Sequence, residues 1–374
     1  MNVQAISGFG VKGPACFLLE LEGRRILLDF GQGPDEDAHL DLGAIGRIDA
    51  VLIGHAHKDH AGALSRLWEI GDPPVYATEC VQMLVGGGAN IRSLPMFGEA
   101  EVLGLQVRTG RNGHAPGGVW IRVGGEDGVL YGGDFSFESL LYPFDPFPTA
   151  AVAILDASYG IWDEPLINGV NLILDRASQG PILLPAPAGG RGLDMAIACY
   201  RAGLPVALCS ANRMVAQMVL GRPGLIGAEG TELLVATLAA ARPLEAMTIP
   251  QGVMIAAKPD GAAGISAELI ARYADRSEVA IIFTGYLPKG TPARDLVESG
   301  RAEIVRWNVH PRLSDFRAAM EAIAPDKVIP AFLPQNDIEA FRAAVGDARL
   351  VDGQWKNVET GDGHERHASV IASA

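Results

Sequence analysis

The sequence predicts an α/β protein in unlike parts, and three observations carry that expectation. Residues 1–165 read as short strands joined by Gly-rich turns, several of them ending on histidine or aspartate. Residues 166–302 alternate continuous apolar runs with helical segments, which argues for a parallel sheet covered by helices. Residues 303–374 return to strand, helix, strand and helix, and close in a polar tail holding His364 and His367 that reads as a solvated, frayed end.

Taken in order, residues 15–21, a Glu22-Gly23 turn and residues 25–29 form a hairpin. The apolar run 50–53 breaks at Gly54, and residues 61–68 read as a helix. A short strand at 74–77 precedes a helix that begins at Glu79 and stops at Gly86-Gly87-Gly88. Residues 102–109 alternate as a strand. Residues 119–123 and 128–131 form a second hairpin that ends at Gly132-Gly133-Asp134, and 151–156 is a buried strand that stops on Asp156. In the second part the strands fall at 181–186, 205–209, 252–257 and 278–284, with helices at 193–201, 213–220, 232–241 and 267–274. Last come a strand at 304–307, a helix at 313–323, a strand at 327–332 and a helix at 337–345.

The stretch Val51 to His60 dominates the chemistry. Three of the 8 histidines, His55, His57 and His60, fall within six positions beside Asp59. They follow a strand's C-terminal end, where α/β proteins place their reactive groups. Imidazole and carboxylate at this density suit zinc or a similar divalent ion. His114, Asp134 and Asp156 stand at three further strand ends or loops. Each has a plain alternative, a loop histidine or a turn cap; together they describe one convergent site.

Composition bounds the rest. With 48% hydrophobic and 20% charged residues the chain is globular. It shows neither a signal peptide nor a run of ~18 apolar residues, so no membrane association is expected. Cys16, Cys80, Cys199 and Cys209 lack CxxC spacing and read as reduced, buried thiols of a cytoplasmic protein. Acids outnumber bases 44 to 30, which cuts against an easy nucleic-acid assignment, although 24 of the bases are the phosphate-binding Arg. No dinucleotide fingerprint follows the strands of the second part. Monomer and homo-oligomer both stay open.

The ordered motif His55-x-His57-x-Asp59-His60, then His114, then Asp134, resembles the metallo-β-lactamase superfamily. The downstream half resembles its β-CASP branch, through Asp156-Ala-Ser-Tyr-Gly160, the turn from Pro185 to Arg191, Phe283-Thr-Gly-Tyr286 and His310. The resemblance covers essentially the whole chain. It implies an αββα metallo-β-lactamase sandwich with an inserted parallel α/β β-CASP domain, and an activity on RNA or single-stranded DNA. One position departs: where RNA-acting members carry a third motif histidine, this chain has Phe332. DNA-acting members also carry an apolar residue there. Phe332 either fills space or leaves an oxygen role to Gln335 or Asp337.

By that resemblance His55, His57 and His114 hold one metal, Asp59 and His60 a second, and Asp134 bridges them. One or two zinc ions are implied, with manganese an option at the second position. Asp59 also counts among the catalytic residues. His310 is the candidate general acid, its alternative being a strand-end histidine bonded to backbone. Asp156 fits a carboxylate that accepts the free N–H of a ligand histidine and fixes its tautomer. Arg191, opening a helix after Gly189-Gly190, is either a phosphate ligand or a surface ion pair. The expected activity is metal-dependent phosphodiester hydrolysis by a nuclease. A hydrolase of a small ester or phosphodiester and a weakened binding subunit are the competing readings.

Overall fold

The computed structural model describes residues 1–35, 39–43, 45–88 and 90–356. His364, His367 and the polar tail lie outside the described residues.

Two mixed sheets pack face to face. The first has seven strands in the order Gln354–Lys356, Asn2–Ser7, Cys16–Leu21, Arg24–Leu28, Ala50–Leu52, Val75–Thr78 and Ile91–Leu94. Its first four strands are antiparallel and the remainder parallel. The second runs Lys327–Ala331, Val152–Asp156, Val129–Tyr131, Val119–Val123, Leu105–Arg111 and Gly98–Val102.

Period-two alternation assigns each side chain to a layer. Phe17, Leu19, Ile26 and Leu28 meet Val107, Ile121, Tyr131 and Ile154 between the two sheets. Their neighbours Leu18, Leu27, Val51 and Ile53 face outward against Ile45, Ile70 and Val81. On the opposite side Trp120, Leu130 and Leu155 lie under Phe316, Met320 and Phe341. The result is the αββα sandwich.

A third sheet is parallel throughout, in the order Arg242–Pro243, Val206–Leu208, Val253–Ala257, Ile182–Ala186, Ala280–Phe283 and Glu303–Ile304. Both of its faces are covered: Ile182 and Leu184 pack on one side with Ile173, Met195 and Cys199, Leu183 and Met254 on the other with Leu269 and Tyr273. Burial on both faces is why its strands read as unbroken apolar runs. Glu303–Ile304 pairs within this sheet, so the chain returns to the sandwich only after it.

Several local expectations change. The expected helix at 61–68 is a short helix, Lys58–Ala61, and a separate 3₁₀ turn, Leu64–Ile70, because the intervening Gly62 carries its backbone tightly over Lys58 and Gln32. The helix Leu166–Gln179 was not expected, nor were Pro292–Glu298 and the strand Ile91–Leu94. Four expected helices begin two to four residues earlier, at Arg191, Ser210, Ala228 and Gly264. All four cysteines are buried and unpaired. Among the described residues no helix is long and apolar enough to cross a membrane.

Candidate metal centre

The histidine motif is held open by backbone before any side chain contributes. Past Ala50–Leu52, Gly54 donates its N–H to Asp29 Oδ1 at 2.6 Å and accepts from Val119 N at 2.8 Å. A side chain at Gly54 would press on both partners, with Val119 O 3.3 Å from an added Cβ. His57 then caps the helix Lys58–Ala61 with extended backbone, and its carbonyl accepts from His60 and Ala61. The turn therefore sends His55 and His57 to one side of the site and His60 to the other.

His55, His57, His114 and Asp134 form the first group of converging donors. His57 Nδ1 lies 3.0 Å from His55 Nε2 and 3.0 Å from His114 Nε2. Asp134 Oδ2 lies 3.7 Å from His55 Nε2 and 3.5 Å from His114 Nε2. Backbone carbonyls fix two of the tautomers. His57 Nε2 must donate to Gly189 O at 2.8 Å, and His114 Nδ1 to Val309 O at 2.6 Å. In the neutral rings the opposite nitrogens then carry lone pairs, and these face each other across 3.0 Å. Two facing lone pairs repel unless a cation lies between them. The separations also match the roughly 3.3 Å edge of a tetrahedron whose ligands sit ~2.0–2.1 Å from the ion. The donor set fits a divalent metal.

Electrostatics agree with this. Burial pushes His55 and His114 well below the ordinary imidazole range, and His57 below it to a lesser extent, so these rings are neutral and ready to ligate. Burial opposes the charge on Asp134, but His60 and His310 outweigh it and hold the carboxyl well below its ordinary range. Asp134 Oδ1 is buried with no well-formed hydrogen bond, its near neighbour being His60 Nε2 at 3.2 Å, and a cation between the two would satisfy it.

The second group comprises Asp59, His60 and Asp134. His60 Nε2 lies 3.2 Å from Asp134 Oδ1 and 4.0 Å from Asp59 Oδ2. Its Nδ1 meets Asp29 Oδ2 at 2.5 Å. Burial would lower His60, yet Asp134 and Asp29 together raise it well above the ordinary range. The expected gap at Phe332 is filled by carbon. This ring is buried and lies edge-on to His60 at 5.2 Å, with its backbone in the left-handed region at φ 63°. Gln335 and Asp337, the two alternative oxygen donors, are both exposed, and Asp337 joins no donor group among the described residues.

Asp29 went unrecognised in the sequence. It ends the strand Arg24–Leu28 at φ 61°, fully buried, and accepts from Gly54, His60 and the Tyr131 hydroxyl, the last at 2.5 Å. The available signal was a buried-type strand ending on a carboxylate, the same cue that singled out Asp156.

The structure brings His310 and Asp156 to the same cluster. Asp156 Oδ2 accepts from His310 Nδ1 at 2.7 Å, and His310 Nδ1 stands 3.7 Å from Asp134 Oδ2. Asp156 thus orients His310, whereas its expected use was to orient a ligand histidine. Ser158 donates to Asp156 Oδ1 through both N–H and hydroxyl, and Lys12 Nζ bonds that hydroxyl at 2.8 Å. Lys12 was another residue unmarked in the sequence. Arg191 is outside the cluster: half-buried at the start of Arg191–Arg201, it bonds Thr284 Oγ1 at 3.0 Å and packs on Gly285. No carboxylate pairs with it among the described residues, and burial draws its pKa down to about 10.

A family model described as the metallo-beta-lactamase superfamily matches residues 9–79, which hold Asp29 and the whole histidine motif. The chain is 30% identical over 229 residues to a protein named Ribonuclease TTHA0252 from Thermus thermophilus, covering 52% of this chain and 53% of that one. It is 27% identical over 247 residues to Transcription termination factor FttA of Cenarchaeum symbiosum, covering 52% and 38%. RNase aCSPSF2 of Saccharolobus solfataricus is 24% identical over 338 residues, covering 78% and 68%. The first relatives are thus matched over about half of their length or less. A crystal structure of a protein of unknown function from Enterococcus faecalis V583 superposes with TM-score 0.56 over 89% of this chain and 94% of that one; at 13% identity it speaks to the fold alone.

Proposed function

The chain belongs to the metallo-β-lactamase superfamily, in its β-CASP branch, and from that premise we propose a metal-dependent phosphodiester hydrolase, a nuclease of RNA or single-stranded DNA. Residues 1–165 and 305–356 form its sandwich, and 166–304, through the edge strand Glu303–Ile304, its insert. The observation that carries the reading is the position of His310. Its ring centre lies 5.2 Å from that of His114, and Asp156 fixes its Nδ1–H.

His55, His57, His114 and Asp134 would hold the first ion, zinc by their donor chemistry. Asp59, His60 and Asp134 would hold a second, weaker one, for which manganese is also suited. When bound, such ions supply Lewis acidity toward a phosphoryl oxygen and make water nucleophilic near neutral pH. The chain's own groups do the rest. Asp156 keeps the His310 Nδ1–H in place, so Nε2 is the atom that hands a proton to the leaving oxygen. Asp29 holds His60 in register. Arg191 offers a guanidinium to a substrate phosphate beyond the C-terminal ends of the strands Ile182–Ala186 and Ala280–Phe283. RNA is the first substrate to test, given the names of the relatives. Four buried, unpaired thiols suit a reducing compartment such as the cytoplasm.

The net charge of −14 favours a second reading, a small phosphodiester as substrate. One assay separates the two. End-labelled single-stranded RNA and DNA, 5′-phosphorylated or not, are incubated with the protein in zinc or in manganese, with His57→Ala as the blank. Cleavage that vanishes in the blank supports the nuclease. Metal-loaded protein that cuts no strand but hydrolyses a chromogenic phosphodiester sinks it.

A further inference from the structure

No stretch of the sequence interleaves aromatic and basic residues densely, but the fold assembles such a surface from separate segments. Tyr159 and Trp162 follow the strand Val152–Asp156, while Arg306 follows the edge strand Glu303–Ile304. The Arg306 guanidinium carbon lies 4.5 Å from the Tyr159 ring centre and 4.7 Å from that of Trp162. Both distances are within cation–π range.

This row leads to the reaction centre. The Tyr159 ring meets His310 edge-on at 5.1 Å. Its hydroxyl donates to Trp307 O and accepts from Val309 N, whose own carbonyl fixes His114. The inner end is therefore rigid and tied to the metal ligands. The outer end is open: Arg306 is exposed, Trp162 is 37% exposed and Ile161 59%. Arg306 has no carboxylate partner among the described residues, although acids outnumber bases in this chain. The charges of Arg306 and Arg191 both bear on the Tyr159 hydroxyl. An exposed indole beside an unpaired guanidinium offers a flat apolar face and a positive charge together. A nucleotide satisfies both, its base by stacking and its phosphate by charge.

We propose that Trp162 and Arg306 form a base-stacking subsite for the nucleotide adjoining the scissile phosphate, with Tyr159 as the rigid wall between this subsite and His310. The inference rests on the nuclease reading and deepens it. It predicts affinity for strands with little regard to base identity, since every base presents a π face.

The test uses the full chain in EDTA, so that no strand is cut. Fluorescence anisotropy follows binding of labelled oligouridylate and oligothymidylate, alongside the same oligomers made wholly abasic. Trp162→Ala is expected to weaken binding of the base-bearing strands roughly 5- to 150-fold, the range that one stacked base supplies. Trp162→Phe should restore most of this. Arg306→Lys, which keeps the charge but loses the planar face, should fall between wild type and Arg306→Ala. Abasic strands should bind wild type weakly and Trp162→Ala no worse. If Trp162→Ala binds base-bearing strands as wild type does, the subsite is overturned while the nuclease stands on its cleavage assay. If wild type neither binds nor, with metal, cuts any strand, the nuclease reading falls and takes the subsite with it.

Discussion

The two halves of the metal cluster share Asp134 but are built differently. In the first half His57 and His114 are pinned by carbonyls of Gly189 and Val309, and burial lowers the pKa of all three imidazoles. In the second half His60 is pinned by a charged partner, Asp29, which together with Asp134 raises its pKa well above the ordinary range. Asp59 stands 4.0 Å away with its side chain 27% exposed, and Phe332 closes the remaining side with carbon. A carbonyl anchor leaves a lone pair ready for an ion; a carboxylate anchor makes the ring a stronger base, toward an ion and toward a competing proton alike. A first ion should therefore bind tightly and a second conditionally, although the motif residues of both halves are adjacent in the chain.

The largest effect should come from removing one ligand from each half. His57→Ala is expected to abolish bound metal and strand cleavage, whereas His60→Ala should retain one ion and lose the other. Metal content after dialysis, measured by atomic emission, checks this. Equal losses from the two variants would break the comparison. Next in size is His310→Ala, which removes no ligand of either half. It should lower kcat by roughly 10²–10⁴-fold, the usual yield of a positioned proton donor, with metal content unchanged. If the variant loses metal as well, His310 is a ligand and its role as acid is wrong.

Much of this was legible in the sequence, and what was not has physical reasons. Three histidines in six residues betray a site because side chains alone make it. His114, Asp134 and Asp156 stood out through Gly-flanked strand ends. Asp29 ends a strand in the same way, but its meaning lies in three partners, Gly54, His60 and Tyr131, up to 102 residues distant. The carbonyls of Gly189 and Val309 are backbone atoms and leave no mark on composition. The helix Leu166–Gln179 buries Leu166, Val170, Ile173 and Ala177 at helical spacing, yet it starts behind Pro165 with Asn168 and Gly169 in its opening turns, which masks it. The arginine–aromatic row was invisible because Trp162 and Arg306 meet only in the folded chain.

Asp29→Asn should act on the second half alone. It keeps an acceptor for the Gly54 N–H but removes the charge that faces His60. Loss of such an outer partner costs roughly 10–100-fold in metal affinity, and the loss should fall on the second ion alone. Isothermal titration with manganese, after the first site is filled with zinc, reads it out. Unchanged affinity for the second ion would mean that Asp29 serves only the fold.

The smallest change expected is also the one that runs upward. Phe332→His places an imidazole beside His60, in a backbone conformation that histidine tolerates better than most residues. A smaller, polar ring in a buried slot should first cost stability, through the packing on Phe17 and through an unsatisfied ring nitrogen. Metal should then return it. The second ion should bind more tightly by at least the order of tenfold that one supporting contact contributes at a metal site. An ion that binds only the native state raises stability by about 2.7 kcal/mol at a hundred times its Kd. The melting temperature of Phe332→His should therefore respond to added manganese more steeply than that of wild type, both starting with the first site filled. Equal slopes would show that the carbon wall is not what weakens this half. The weakness would then lie with Asp59, too far from His60 to close on an ion until a substrate phosphate supplies the missing oxygen.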